Sequence, residues 1–500
     1  MKVEFRASKN NSLTCSKDGF SLHSNYNPEA EANKFVNNIK TDFIPTNIII
    51  TGPCLPYLCD PLKSRFKNAN IIAIQYTKDF SDYNSAWDKV FIVDSKKTAL
   101  DFQEELFSHF GEEQLFSSLF LSWKPSENPF QDEYSIAWKG IKLALDKSKS
   151  IIGTISFFNK TWFFNSLRFF KYSKNIFSLK KINHDIIITA SGPSLLNQIE
   201  FIKTHKNNFF VMALSSSVCV LLKNEIIPDA ILSTDGGYYA KRHLTILETR
   251  EEYQNIPIIF PPEGKLSTNL LSKNPIIPLL YTDTFEKELF SQLKIDFQFG
   301  SRNGTVSGTA VELALQLTNK NIYFAGLDLA SSKGFSHTQP NSLEEDDCLN
   351  DYKLKSTENR IVPSTFKNQS LEIYRNWFGT RNENFYKRVF RLVSEKDDLK
   401  QIKNLKDIKN KEIHLENSIT NNFFINQNKS IDKKQVIKYF ENKKNEITKE
   451  TKINSWFKIA SYTDCIQYMR CEEEKKELLF AKLKENTISL LNEVLDYLKK

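Results

Sequence analysis

Residues 185–194, DIIITASGPS, constrain the fold of this chain more than any other stretch. Ile186, Ile187 and Ile188 form a β-branched, uncharged run, which predicts a strand covered on both faces. Ser191-Gly192-Pro193-Ser194 ends it. Glycine permits a sharp turn, proline suits a first helical position, and Ser194 is expected to satisfy free amides of that first turn. Leu195, Leu196, Ile199 and Ile202 follow at helical spacing. Strand, small-residue turn and helix together aim free N–H groups at a bound phosphate. Taken alone, these residues fit an ordinary, tightly packed βα turn better than a ligand site.

The same alternation continues. Strands are expected at 209–213, 230–233, 256–260, 276–280 and 321–325, and Asn303-Gly304-Thr305-Val306-Ser307-Gly308 opens a long helix carrying Val311, Leu313, Ala314, Leu315 and Leu317. Strands alternating with helices predict an α/β fold: a central, doubly wound, Rossmann-like parallel sheet over residues 183–341. In such sheets ligands bind beyond the carboxyl ends of the strands. The Gly192 turn, Ser215, Asp235, Ser307-Gly308 and Asp328 all fall there, and that convergence turns an ordinary turn into a candidate site.

At 500 residues the chain is too long for one core. An α/β domain is expected over 1–135, where Ile48-Ile49-Ile50-Thr51-Gly52-Pro53 echoes the central turn. A helical, Phe-rich connector follows over 136–182, and a mainly helical domain over 342–500. The formal charge of +8 is spread along the chain rather than gathered in a block, which argues against a nucleic-acid partner. Seven cysteines without a CxxC pair predict reduced thiols and no zinc site. The first ten residues lack the apolar core of a signal peptide, and no apolar run approaches the ~20 residues of a membrane span. A cytoplasmic protein is expected. No pattern specifies an oligomeric state.

Ser191-Gly192-Pro193-Ser194-Leu195, Asp235-Gly236, Gly304-Thr305-Val306-Ser307-Gly308 and Gly326-Leu327-Asp328-Leu329, in that order, resemble the motility-associated flagellin glycosyltransferase family. The central domain of that family is similar to bacterial sialyltransferases that use CMP-activated donors. His23-Ser24-Asn25-Tyr26-Asn27-Pro28 with Glu31-Ala32, and Gly334-Phe335-Ser336-His337, resemble further signatures of the same family. The resemblance spans residues 23 to about 340. It implies transfer of a nonulosonic (sialic-acid-like) sugar, such as pseudaminic or legionaminic acid, from a CMP donor onto Ser/Thr hydroxyls of flagellin. It implies nucleotide-holding roles for Gly192, Ser194, Ser307 and Gly308, and the candidate nucleotide-sugar site also takes in Ser191, Pro193, Gly304, Thr305 and Asp328. Ser215 and Asp235 stand where the sialyltransferases carry cytidine-contacting asparagines. Ala190 replaces a common first glycine, and Asn27 a common aspartate.

The attacking hydroxyl needs a base with a pKa near neutrality, and His337 is the candidate. No GxxxxGK[ST] occurs, which removes a P-loop kinase as a template. Two other functions fit the same domain. One is implied by a resemblance of the central domain to archaeal enzymes that transfer diphosphate from ATP to a hydroxymethylpterin; it needs magnesium, for which Asp235 and Asp328 would serve as oxygen ligands. The other is a binding scaffold on a degenerate nucleotide fold. The glycosyltransferase reading itself requires no cofactor, though a divalent cation such as magnesium is compatible with it.

Overall fold

The computed structural model describes residues 2–281, 284–329, 335, 337–360, 369–397, 399–415, 418–419 and 422–500. Gly334 and Ser336 of the last sequence signature lie outside them. The chain forms two compact units: Met1–Lys160 with Lys444–Asn492, and Thr161–Lys443 with Glu493–Lys500. No helix among the described residues is long and apolar enough to cross a membrane.

The second unit is α/β, built on a Rossmann-like sheet. Among the described residues the sheet has nine strands. Across it they run Gln298–Phe299, Ile276–Leu280, Ile258–Phe260, Ala230–Leu232, Phe210–Leu214, Ile186–Thr189, Ile322–Ala325, Val389–Leu392 and Lys406–Ile408. Every neighbouring pair is parallel. Ile186 lies in register with Phe210 on one side and Ile322 on the other. Ile186, Ile187 and Ile188 are fully buried, as a run enclosed on both faces must be. Each contributes about 1.5–3 kcal/mol by leaving water. From Ile186 the chain adds strands outward in one direction as far as Gln298–Phe299. It then returns to the other side of Ile186–Thr189 with Ile322–Ala325. The strand order therefore reverses between these two strands, which is where open α/β sheets form a ligand crevice.

The sheet does not stop at residue 341, where the central domain was expected to end. Val389–Leu392 and Lys406–Ile408 extend it, and their sequences explain why they are hard to foresee. Arg391 sits at the centre of its strand, fully buried, and its Nε and Nη2 each donate at 2.7 Å to one carboxylate oxygen of Asp407 on the next strand. A charge paired and fully hydrogen-bonded in this way is tolerated in an interior, but it erases the apolar pattern of a strand.

The first unit holds a parallel sheet in the order Lys89–Ile92, Asn70–Gln75, Asn47–Thr51, Ser118–Ser122. Its glycine turn is no conformational copy of the central one. Gly52 has φ of +62°, and an added Cβ would lie 2.1 Å from Ser126 Oγ and 2.4 Å from Tyr76 Cε2. Gly192 has φ of −67° and ψ of 151°, an extended backbone open to any residue. The His23 signature belongs to this unit and is scaffolding. Asn27 caps helix Pro28–Asn37 by accepting from the Ala30 amide at 2.9 Å, the task an aspartate there would perform. His23 is buried, accepts from the Leu55 amide through Nε2 at 3.1 Å, and packs 5.3 Å from the rings of Tyr57 and Trp123.

Candidate functional site

At the strand-order reversal the Gly192 turn and the Gly326 turn are fastened together. Gly192 donates its amide to the Gly326 carbonyl at 2.9 Å. An added Cβ on Gly192 would lie 2.4 Å from Asp328 Cγ and 2.6 Å from the Gly326 oxygen. Glycine is required here for close approach, not for an unusual backbone angle. Pro193 opens a short 3₁₀ turn, Pro193–Gln198, rather than an α-helix.

Contrary to expectation, the Ser194 side chain is not a cap: among the described residues it bonds to Asp328. Its amide donates to Asp328 Oδ2 at 3.0 Å and its hydroxyl to Asp328 Oδ1. Burial raises the Asp328 pKa above the usual carboxylate range, against the lowering effect of those two bonds. Ser194 and Asp328 thus brace the floor of the crevice.

Ser191 faces the neighbouring loops. Its hydroxyl accepts from Ser216 Oγ at 2.9 Å, and its carbonyl accepts from the Thr338 amide at 2.7 Å. Ser215 is buried at the carboxyl end of Phe210–Leu214. Asn341, also buried, donates to the Ser216 carbonyl at 3.4 Å while capping helix Ser342–Leu349. Ion pairs Arg242–Asp346 at 2.9 Å and Lys223–Glu345 at 2.6 Å set that helix over the same loops. The segment carrying His337 is therefore tied to the loops that follow Ile186–Thr189, Phe210–Leu214 and Ala230–Leu232.

His337 meets a residue that sequence reasoning missed. Its ring lies edge-on to His243, with centroids 6.4 Å apart. Burial lowers both pKa values, His243 to about 4, where the charge of His337 lowers it further and Asp235 acts in the opposite direction; Glu344 partly offsets the fall at His337. Both shifts favour the neutral ring, the form that accepts a proton. Asp235 is exposed, with Oδ1 accepting the Gly237 amide at 2.7 Å. His243 lies in a 3₁₀ stretch, Tyr238–Glu248, directly after Asp235-Gly236-Gly237. The only sequence signal for it was a histidine a few residues past a strand end.

The helix Val306–Leu317 packs on Ile186–Thr189, Phe210–Leu214 and Ile322–Ala325. A helix leading into a parallel strand runs against the strands, so its N-terminus lies at their carboxyl edge. Gly304, with φ of +69°, makes the turn into it. Thr305 is the N-cap residue but, among the described residues, makes no side-chain cap bond to the first-turn amides, that of the buried Ser307 among them. Gly308 leaves room for its own surroundings. An added Cβ would lie 2.9 Å from Asn303 Cβ, 3.1 Å from Thr305 Cγ2 and 3.4 Å from Trp377. A valine there would disturb the helix start itself, so it is no clean probe of ligand approach.

The donors suited to a metal are dispersed. Both Asp328 oxygens hold Ser194, and among the described residues no group of three or more His, Cys, Asp or Glu gathers as a cation site.

Residues 160–334 match the family model described as 6-hydroxymethylpterin diphosphokinase MptE-like. An uncharacterized protein of Treponema pallidum (strain Nichols) is 29% identical over 307 residues, which is 60% of this chain and 65% of that protein, just under two thirds of its length. Among solved structures, a MAf glycosyltransferase from Magnetospirillum magneticum AMB-1 aligns with a TM-score of 0.59, covering 100% of this chain and 92% of its own, at 11% identity. At that identity the likeness speaks for the fold.

Proposed function

We propose that this chain is a glycosyltransferase that moves a nonulosonic sugar from a CMP donor to a hydroxyl of a protein acceptor, flagellin being the acceptor the sequence resemblance implies. One observation carries the reading: helix Val306–Leu317, packed on Ile186–Thr189, starts at the same carboxyl edge as the Ser191 turn, where the strand order reverses, and among the described residues its N-cap Thr305 makes no side-chain cap bond. Free amides at a helix N-terminus favour a phosphate and its growing charge. The likeness in fold to a MAf glycosyltransferase supports the same reading.

In this scheme the acceptor oxygen attacks the anomeric carbon and its proton passes to His337. The bond from that carbon to the phosphate oxygen breaks, and the electron pair leaves with CMP. The amides of residues 306–308, with the hydroxyls of Ser191 and Ser307, meet the phosphate charge. Ser215 and Asp235 line the nucleoside side. Ser194, Gly192 and Asp328 hold the turn in shape, and His243 packs against the base.

A second reading, diphosphate transfer from ATP to a hydroxymethylpterin, is favoured by the match of residues 160–334 to that family model. It needs magnesium ligands, and Asp328 has both carboxylate oxygens committed to Ser194. Nucleotide-dependent thermal shift separates the two. CMP at 100 times its Kd should stabilise the second unit by about 2.7 kcal/mol. Stabilisation by ATP with magnesium, and none by CMP, would assign the site to the diphosphokinase reading.

A further inference from the structure

The carboxyl edge carries a second polar group one strand beyond Asp235. The loops after Ile258–Phe260, Ile276–Leu280 and Gln298–Phe299 bring Glu263, Tyr281 and Arg302 together with Trp162 of helix Gln131–Tyr172. Arg302 Nη2 donates to Glu263 Oε2 at 2.6 Å. The guanidinium carbon lies 4.7 Å from the Tyr281 ring centroid and 5.8 Å from that of Trp162. Asn165 ties this group to the candidate site: Nδ2 donates to the Gly236 carbonyl at 3.1 Å and the Glu263 carbonyl at 2.9 Å, while Oδ1 accepts from Lys265 Nζ at 3.1 Å. The Lys265 amide in turn donates to the Asp235 carbonyl at 2.9 Å. Gly236 leaves the space that Trp162 fills, since an added Cβ would lie 2.4 Å from the indole.

The same molecule shows what a purely structural arginine looks like. Arg391 is fully buried and grips both oxygens of Asp407. Arg302 differs in each respect. It commits one nitrogen to one oxygen, its other N–H groups have no partner among the described residues, and its side chain is 47% exposed while that of Glu263 is 16%. Glu263 and two aromatic faces fix the plane of a fork that remains open toward solvent.

We infer that Arg302, oriented by Glu263 over Tyr281 and Trp162, is the subsite for a carboxylate borne on a sugar ring. The planar fork matches a carboxylate with two parallel N–H bonds, which a lysine cannot supply. Tyr281 and Trp162 offer apolar faces to the ring beside it. Burial pushes the Glu263 carboxyl up to about 7 despite Arg302, which weakens its competition with an incoming anion. Naming the sugar half of a CMP-linked donor rests on the glycosyltransferase reading; recognition of the carboxylate does not.

The test uses the full chain and four probes followed by ligand NMR: N-acetylneuraminic acid, its methyl ester, glucose 1-phosphate and CMP. The acid should bind, with the ester and the sugar phosphate each weaker by about tenfold or more. Arg302→Gln should lose about tenfold or more of the affinity for the acid and leave CMP affinity unchanged. Arg302→Lys, which keeps the charge and guards against loss of folding, should recover only part of it. Equal binding of the acid by Arg302→Gln would overturn the assignment. So would equal binding of acid and ester, preference for the phosphate, or no binding of the acid with or without CMP. Loss of CMP binding alone, with the acid still bound through Arg302, would sink the nucleotide reading and leave this subsite standing.

Discussion

Replacing His337 with alanine is expected to lower transfer by about 100-fold or more, the range of a positioned acid–base group, while CMP affinity stays within about twofold. The ring stands edge-on to His243 and is held, through the Thr338 amide, against the Ser191 carbonyl. The sign of its pH dependence follows from its surroundings. Only the neutral ring accepts a proton, so activity is lost as pH falls through its pKa. Burial lowers that pKa, so the acid limb should lie below the ordinary histidine range, and the rate should be flat from about pH 7 upward. A wild-type limb centred at or above pH 6.5 would mean that His337 is not the base, and full transfer by the alanine variant would mean the same. Asp235, the exposed carboxylate whose charge acts on His243, would then be the group to test.

Gly192→Ala should cost about 3 kcal/mol or more, although the backbone there suits any residue. The added methyl would meet Asp328 Cγ at 2.4 Å and the Gly326 oxygen at 2.6 Å. Neither can yield. Gly326 is held by the amide of Gly192 itself, and Asp328 by the amide and hydroxyl of Ser194. Displacing the carboxylate strands two buried donors, each costing about 1–3 kcal/mol. Gly304→Ala makes the contrast. Its φ of +69° costs a side chain roughly 1–2 kcal/mol in strain, but nothing lies within 4 Å of the new methyl. Chemical denaturation of both variants should rank Gly192→Ala as the more damaging. Equal stability of Gly192→Ala and wild type would show that the Asp328 brace is soft.

Much of the fold was legible because its strands are short apolar runs between turn residues. Ile186–Thr189, Phe210–Leu214 and Ile276–Leu280 fall where their composition places them. Gln298–Phe299 is two residues long, and Lys406–Ile408 is mostly charged, so neither carries a strand pattern. The pairing of Arg391 with Asp407 supplies the missing logic only once the strands are neighbours. At the site, the small-residue turns were visible but their tasks were not. Sequence gives Ser194 as a cap, and only the parallel pairing of Ile186 with Ile322 brings it to Asp328. His243, Glu263 and Arg302 were not legible because each is an isolated charged or titratable residue outside the strands and α-helices. What unites them is strand order, which local spacing does not encode.

Transfer of a sugar from a CMP donor is read out by intact-mass analysis of the acceptor. The purified chain would be incubated with a CMP-linked nonulosonic acid and recombinant flagellin, and in parallel with ATP, magnesium and a hydroxymethylpterin. Flagellin is expected to become heavier by whole nonulosonic acid residues, with one CMP released for each and no change in the pterin. Unmodified flagellin together with a diphosphorylated pterin would contradict that transfer.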